Sequence, residues 1–98
     1  MKETPYVARS PTRAWYVYIL RCADGSLYTG ITTDLTRRIR QHNDGTASRY
    51  TRSWRPVKLL YEECKRGQSS ALKREATIKK LTRRKKLALP GAGRKKLG

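Results

Sequence analysis

The segment "WYVYILRCADGSLYTGIT", residues 15–32, predicts a β-hairpin, because two runs of aromatic and β-branched residues flank Asp24-Gly25. A two-residue loop would place Tyr18 and Tyr28 on opposite faces of the hairpin. A three-residue loop, with Gly25 in the left-handed conformation, places both tyrosines on one face and gathers the apolar residues on the other. We therefore predict the three-residue loop.

In this register Tyr18 and Tyr28 lie beside Gly30, which leaves a gap in the surface of the strand. Two phenols next to such a gap predict a floor that a ligand can approach closely. The competing interpretation is that the tyrosines only pack across the strands, as tyrosines in sheets commonly do.

The rest of the chain predicts one more strand and three helices. A helix begins at a Thr33 or Asp34 cap and ends at Asn43-Asp44-Gly45. A polar loop then leads to a strand over 57–64, and two helices follow, over 69–81 and from Thr82 to Leu89. These signals predict an α/β (α+β) domain over 14–89, in which a small three-stranded sheet with an antiparallel hairpin is flanked by helices in the order ββαβαα. The segments 1–13 and 90–98 are expected to be flexible tails.

The formal net charge of +17 over 98 residues predicts a polyanionic partner, nucleic acid in the first place. A merely soluble basic surface is the alternative. The sequence has no apolar run of the ~20 residues that a spanning helix needs, so no membrane partner is expected. Cys22 and Cys64 lack the spacing of zinc ligands and are expected to be buried, reduced thiols of a cytoplasmic protein.

The first helix places two polar side chains on its apolar face. Leu35, Arg38, Ile39 and His42 follow the i, i+3, i+4, i+7 spacing of one helical side. An inward arginine must be paired or must face a ligand. His42 is either part of the same site or a hydrogen-bonded core histidine. The residues expected to face solvent are Arg37, Arg40 and Gln41.

The second helix places a lone acid in its apolar stripe. Glu75 lies three residues after Leu72, four after Ala71 and three before Ile78, at the centre of that stripe. We expect Leu72, Ala76 and Ile78 to attach the helix to the sheet, with the carboxylate pointing at the sheet face of Tyr18 and Tyr28. A carboxylate near a phosphate is a typical ligand of Mg²⁺. The alternative is a surface ion pair with Lys79 at i,i+4.

Taken in order, "YVY" at 16–18, "YTG" at 28–30, Arg38, His42 and Glu75 resemble the GIY-YIG nuclease domain over about residues 15–89. The chain most resembles the small stand-alone bacterial branch of that family and is similar to the nuclease domain of the repair protein UvrC. The first motif has Tyr16-Val17-Tyr18 in place of Gly-Ile-Tyr. The segment after Glu75 lacks the asparagine that many members carry.

The resemblance implies a metal-dependent endonuclease that hydrolyses DNA in repair or processing, with RNA left open as a substrate. Its implied catalytic residues are Tyr18, Tyr28, Arg38, His42 and Glu75, with Tyr18 favoured as the base and Glu75 as the ligand of Mg²⁺ or Mn²⁺. A phenol with its ordinary pKa near 10 is a poor base at pH 7, so nearby cations would have to lower that pKa. The residues expected to contact nucleic acid are Gly30, Arg40, Arg49, Tyr50, Arg52 and Lys79. No obligate protein partner is expected. The alternative function is a nucleic-acid binding module with this fold and little or no cleavage.

Overall fold

The computed structural model describes residues 14–92, which form a three-stranded antiparallel sheet and four helices. The first strand is central, since the strand order is β2-β1-β3. The elements are β1 (Trp15–Arg21), β2 (Leu27–Thr32), α1 (Leu35–Asp44), α2 (Arg49–Ser53), β3 (Lys58–Lys65), α3 (Gln68–Lys79) and α4 (Arg83–Leu87). The predicted fold class and the order ββαβαα are confirmed, with the short helix α2 added between α1 and β3.

The hairpin has the predicted three-residue loop. The Cys22 N–H donates to the Ser26 carbonyl oxygen at 2.9 Å, and the Gly25 N–H donates to the Cys22 carbonyl oxygen at 2.8 Å. Gly25 has φ of 89°, a conformation that glycine adopts without steric cost. As a result Tyr18 pairs with Gly30 across the strands, and Leu20 pairs with Tyr28.

Alternate residues of β1 belong to two separate cores, one on each face of the sheet. We call them the α3-side core and the α1-side core. The α3-side core consists of Val17, Ile19, Tyr61, Ala71 and Ile78. The α1-side core consists of Tyr18, Leu20, Cys22 and Val57, with Tyr28, Leu35 and Ile39 packed against it.

The predicted caps of α1 and α4 are confirmed. The Asp34 side chain accepts a hydrogen bond from the Arg37 N–H, and Gly45 ends α1 in the left-handed conformation with φ of 83°. Thr82 caps α4 by accepting from the Lys85 N–H. These local bonds fix where α1 begins, and hence which of its side chains face the sheet.

The helix α2 was not predicted, because its sequence is polar and was expected to form a loop. The Ser48 side chain accepts from the Thr51 N–H and starts the helical turn. Thr51 is fully buried, whereas Tyr50 and Trp54 are 44% and 41% exposed. One buried hydroxyl therefore anchors an otherwise exposed helix.

Two predictions about burial are wrong. Leu72 and Ala76 are exposed, whereas Ala71 and Ile78 of the predicted stripe are buried and attach α3 to the sheet. Cys64 is exposed because it lies near the end of the edge strand β3, while Cys22 is buried as expected.

The segment 1–13 and the part 93–98 of the expected C-terminal tail lie outside the described residues. After α4 the chain continues into a turn in which the Ala92 N–H donates to the Leu89 carbonyl oxygen at 2.9 Å. Both side chains pack against the α3-side core. Across residues 14–92, none of the helices combines the length and the apolar character that a bilayer span requires.

Candidate active site

The ring of Tyr18 lies directly over Gly30 on the neighbouring strand. A Cβ atom added to Gly30 would lie 2.6 Å from the Tyr18 hydroxyl oxygen and 2.8 Å from its Cζ. Tyr18 is 1% exposed and Gly30 is also buried. The gap that was expected to admit a ligand is filled by Tyr18, so the assignment of Gly30 as a nucleic-acid contact is wrong. Gly30 instead allows the phenol to lie across the strand.

His42 projects from the third turn of α1 to the hydroxyl end of Tyr18. Its Nε2 lies 3.0 Å from the Tyr18 hydroxyl oxygen, and its Nδ1 lies 2.7 Å from Oγ1 of Thr51 on α2. Burial lowers the pKa of His42 to about 4, and the nearby Arg38 guanidinium acts in the same direction. The imidazole is therefore neutral at pH 7.

Burial also governs the pKa of Tyr18. It raises the pKa of the phenol to about 12, and the neighbouring Tyr28 and Glu75 act in the same direction, while Arg38 opposes them. The expectation that cations would lower this pKa is wrong, since removal from water outweighs the guanidinium. In the free protein the Tyr18 phenol is protonated at neutral pH and is poorly suited to act as a base.

Tyr28 is the more accessible of the two phenols, being half-buried. Its ring centroid lies 5.0 Å from that of His42 in an edge-to-face arrangement and 6.5 Å from that of Tyr18. On its outer side Tyr50 stacks nearly parallel to it, with ring planes 15° apart. The Tyr50 hydroxyl donates to the Ser26 hydroxyl on the hairpin turn at 2.5 Å. Tyr28 thus lies between the buried imidazole and the surface.

Arg38 is half-buried, as its place on the inner side of α1 predicted. Its Nε donates to Oε1 of Gln41 at 3.0 Å. Gln41 was expected to face solvent, but it is half-buried and orients the guanidinium. The effects of Arg38 on the pKa values of both Tyr18 and His42 place its charge close to both side chains.

Glu75 approaches the site from the other side of the sheet. Helix α3 packs on the α3-side core, on the sheet face opposite the two tyrosines. The carboxylate nevertheless helps to raise the pKa of Tyr18, which places it within electrostatic range of that phenol. The Glu75 side chain is only 18% exposed, and its Oε2 lies 3.4 Å from the Lys79 ammonium.

The structure thus gathers Tyr18, Tyr28, Arg38 and His42 at one place, with Glu75 in electrostatic range of Tyr18. The GIY-YIG catalytic domain model matches residues 14–88, which is most of the chain. The chain belongs to the GIY-YIG family.

Several relatives of this GIY-YIG protein cover most of its length. A UPF0213 protein of Desulfotalea psychrophila is 54% identical over 84% of the chain and 76% of its own length. A UPF0213 protein of Haloquadratum walsbyi is 53% identical over 80% of the chain and 88% of its own length. These similarities and the domain match place the chain in a small GIY-YIG group within an endonuclease superfamily.

Two solution NMR structures have a similar fold. A protein from E. faecalis is 43% identical, with a TM-score of 0.54 over 78% of this chain and 82% of its own. A UPF0213 protein from Bacillus halodurans is also 43% identical, with a TM-score of 0.51 over 80% of this chain and 86% of its own. The fold of the GIY-YIG domain is therefore shared with relatives of similar size.

Glu75 is the residue that the sequence predicts as a metal ligand. Within the described part of this GIY-YIG protein, no three His, Cys, Asp or Glu side chains converge as a metal site would require. One carboxylate suits Mg²⁺ only where phosphate oxygens and water complete the coordination. The donor set therefore fits a divalent ion that binds together with a phosphate-containing substrate.

The remaining residues expected to contact nucleic acid lie at the surface. Arg40, Arg49 and Arg52 are exposed, and Tyr50 is 44% exposed. Lys79 is exposed but pairs with Glu75, as the alternative interpretation predicted. Tyr50 stacks on Tyr28, and Arg49 and Arg52 belong to the same short helix as Tyr50.

Sequence analysis missed two residues of the site, Thr51 and Gln41. Thr51 was included in a polar loop because its burial depends on His42, which is nine residues away. The serine at position 48, three residues before Thr51, was the available signal, since this spacing is typical of a helix N-cap. Gln41 lies three residues after Arg38, a spacing at which helical side chains meet.

Proposed function

We propose that this protein is a metal-dependent nuclease that hydrolyses phosphodiester bonds in DNA, in repair or processing, in the cytoplasm. The observation that carries the proposal is the position of Arg38 near Tyr18 and a buried, neutral His42, which also adjoins Tyr28, with the Glu75 carboxylate in electrostatic range of Tyr18. Family membership and the net charge of +17 support a polyanionic substrate. RNA remains a second substrate to test.

In this proposal Arg38 stabilises the negative charge that develops on the phosphoryl oxygens. Its Nε is held by Gln41, so the guanidinium is oriented before substrate binds. A half-buried guanidinium acts more strongly than an exposed one because less water screens its charge. Arg38 is therefore expected to affect the rate of cleavage more than the affinity for DNA.

We assign the base to Tyr28 in place of Tyr18. Tyr18 is hydrogen-bonded to a neutral imidazole and is removed from water, which makes loss of its proton unfavourable. Tyr28 has access to solvent and lies next to the same imidazole. In its phenolate form, after releasing its own proton to solvent, Tyr28 would remove a proton from the attacking water, and the Tyr18–His42 pair would hold that water in place.

Glu75 would hold a Mg²⁺ or Mn²⁺ ion together with the substrate phosphate. When bound, such an ion supplies positive charge to the nonbridging and leaving oxygens of the phosphate. Substrate binding would have to displace Lys79 from Glu75, and Lys79, which is 57% exposed, is free to move toward a neighbouring DNA phosphate.

A second candidate function is a DNA-binding module with little or no cleavage. It is favoured by the Glu75–Lys79 ion pair, which occupies the carboxylate, and by the raised pKa of Tyr18. The two candidates differ in what the loss of the Glu75 charge would do, since only a nuclease depends on that charge for metal binding.

The test is the Glu75→Gln variant, with Asp44→Asn as a charge-matched control on the exposed end of α1. Cleavage of a labelled DNA duplex and of a branched DNA is measured with Mg²⁺, with Mn²⁺ and with a chelator, and binding is measured by gel shift. We expect Glu75→Gln to lose cleavage by on the order of 10²-fold or more while it binds DNA as tightly as Asp44→Asn does.

Wild-type cleavage by Glu75→Gln would overturn the metal assignment. DNA binding without cleavage by the wild-type protein in either metal would favour the binding module. An RNA substrate of the same sequence, tested beside the DNA, decides between the two nucleic acids.

A further inference from the structure

The imidazole of His42 forms the middle of a buried chain of hydrogen bonds. Tyr18, His42 and Thr51 are exposed by 1%, 0% and 0%. The distance from the Tyr18 hydroxyl oxygen to Nε2 is 3.0 Å, and that from Nδ1 to the Thr51 Oγ1 is 2.7 Å. Each ring nitrogen thus has one protein partner, and both partners are hydroxyl groups that can donate or accept.

The direction of this chain is set at Thr51. Its hydroxyl also lies 3.4 Å from the carbonyl oxygen of Ser48, which can only accept. If the single hydroxyl proton of Thr51 points to Ser48, the Thr51 oxygen is left to accept a proton from His42. The Ser48 side chain accepts from the Thr51 N–H at 3.3 Å, so the same serine holds both the backbone and the hydroxyl of Thr51.

A neutral imidazole carries one ring proton, and the hydrogen bond at one nitrogen decides where that proton lies. With the proton on Nδ1, the chain runs from Tyr18 through His42 and Thr51 to Ser48, and every buried hydrogen has an acceptor. With the proton on Nε2, Thr51 turns its hydroxyl to Nδ1. The Ser48 carbonyl then keeps its bond from the Arg52 N–H, but the hydroxyl hydrogen of Tyr18 loses His42 as its acceptor. The first arrangement satisfies more buried groups.

We propose that Thr51 is a positioning residue that holds His42 as the Nδ1–H tautomer, so that Nε2 accepts the proton of the Tyr18 hydroxyl. The lone pairs of the Tyr18 oxygen then remain available to a water molecule or to the Arg38 guanidinium. The tautomer is a property of the free protein, whereas its consequence for cleavage rests on the proposed nuclease function.

The chain contains one histidine, which makes the tautomer directly measurable. In a long-range ¹H–¹⁵N NMR spectrum of the ¹⁵N-labelled protein at pH 7, the two ring nitrogens of His42 give the only imidazole signals. We expect Nδ1 to have the chemical shift of a protonated ring nitrogen and Nε2 that of an unprotonated one. The opposite assignment in the wild-type protein would overturn the proposal without any variant.

Two variants separate the hydroxyl from the shape of Thr51. Thr51→Val keeps the branched side chain and removes the hydrogen bond, whereas Thr51→Ser keeps the hydroxyl. We expect Thr51→Ser to retain the wild-type tautomer and Thr51→Val to shift the ring proton toward Nε2, with the amide spectrum reporting that each variant is folded. A folded Thr51→Val protein with the wild-type ring shifts would show that Thr51 has only a packing role.

Cleavage provides the second measurement. We expect kcat of Thr51→Val to fall by about tenfold with KM for DNA unchanged, and Thr51→Ser to restore it. Equal losses in both variants would contradict the positioning role. If the wild-type protein does not cleave DNA, the nuclease proposal fails while the NMR result still decides the tautomer.

Discussion

The phenol of Tyr18 occupies the space that any side chain at position 30 would need, with the Tyr18 hydroxyl oxygen 2.6 Å from where a Cβ on Gly30 would lie. The two residues are direct partners across β1 and β2. Because Tyr18 is buried, its ring has little room to move aside. The glycine of the second motif therefore positions a tyrosine of the first.

Gly30→Ala is expected to destabilise the protein by about 1–3 kcal/mol and to move the Tyr18 ring away from His42, since an added methyl group overpacks this contact. Gly67→Ala is the control, because a Cβ there meets nothing within 4 Å. Urea denaturation gives the stabilities, and the His42 ring signals report the contact. Equal stability of the two variants would contradict the steric clash expected between a Cβ at position 30 and the Tyr18 ring.

Tyr28→Phe is expected to lower cleavage by 10²-fold or more, because it removes the proposed base. Tyr18→Phe is expected to lower cleavage by about tenfold and to reduce stability by about 1–3 kcal/mol, since it leaves Nε2 of His42 buried without a donor. Single-turnover cleavage and urea denaturation measure the two effects. A larger loss of cleavage in Tyr18→Phe than in Tyr28→Phe would indicate that Tyr18 is the base.

Arg38→Ala is expected to reduce cleavage by on the order of 10²-fold with little change in affinity for DNA, because the inner guanidinium acts on the reacting phosphate. Arg40→Ala, on the exposed side of the same helix, is expected to weaken binding and leave the rate at saturating DNA unchanged. Rate and affinity are measured separately in each variant. The same changes in cleavage rate and DNA affinity in both variants would refute the distinction between the two helix faces.

The stability of the protein is expected to fall by about 2 kcal/mol between pH 7.5 and pH 5. His42 has a pKa of about 4 in the folded protein and near 6.5 when unfolded, so in this range only the unfolded chain gains the proton. Stability from the neutral imidazole is complete above pH 6.5 and decreases as the pH falls toward 4. Urea denaturation of the wild-type protein and of His42→Gln at several pH values tests this. An equal dependence of the free energy of unfolding on pH in both proteins would exclude His42 as the cause.

Affinity for duplex DNA is expected to fall steeply with salt, with a log–log slope of about −0.9 for each phosphate contacted. Arg49→Gln and Arg52→Gln on α2 should each make the slope less steep by about 0.9, while Lys58→Gln on the edge strand β3 serves as the control. Fluorescence anisotropy over a salt series measures the slopes. A wild-type affinity independent of salt would remove nucleic acid as the partner.

Features that depend on local chemistry could be predicted from the sequence. Asp34 and Gly45 mark the ends of α1 because each acts on the backbone within a few residues. Gly25 fixes the hairpin loop in the same way. The inner position of Arg38 and His42 followed from their helical spacing with Leu35 and Ile39, which are apolar.

Features that depend on tertiary packing could not be predicted. The apolar residues of α3 fit more than one stripe, and only contact with β1 selects Ala71 and Ile78 over Leu72. The helix α2 is held by the burial of Thr51 against His42, which no local pattern reveals. The raised pKa of Tyr18 likewise follows from how fully the surrounding chain removes the phenol from water.

The different burial of the two cysteines gives the protein a built-in attachment point for a probe. Cys64 is exposed on β3, while Cys22 is 4% exposed and its pKa is raised by burial, which keeps it in the unreactive thiol form. A maleimide fluorophore should therefore react at Cys64 in the unaltered sequence. Substrate binding can then be followed by fluorescence with every residue of the site left as nature encodes it.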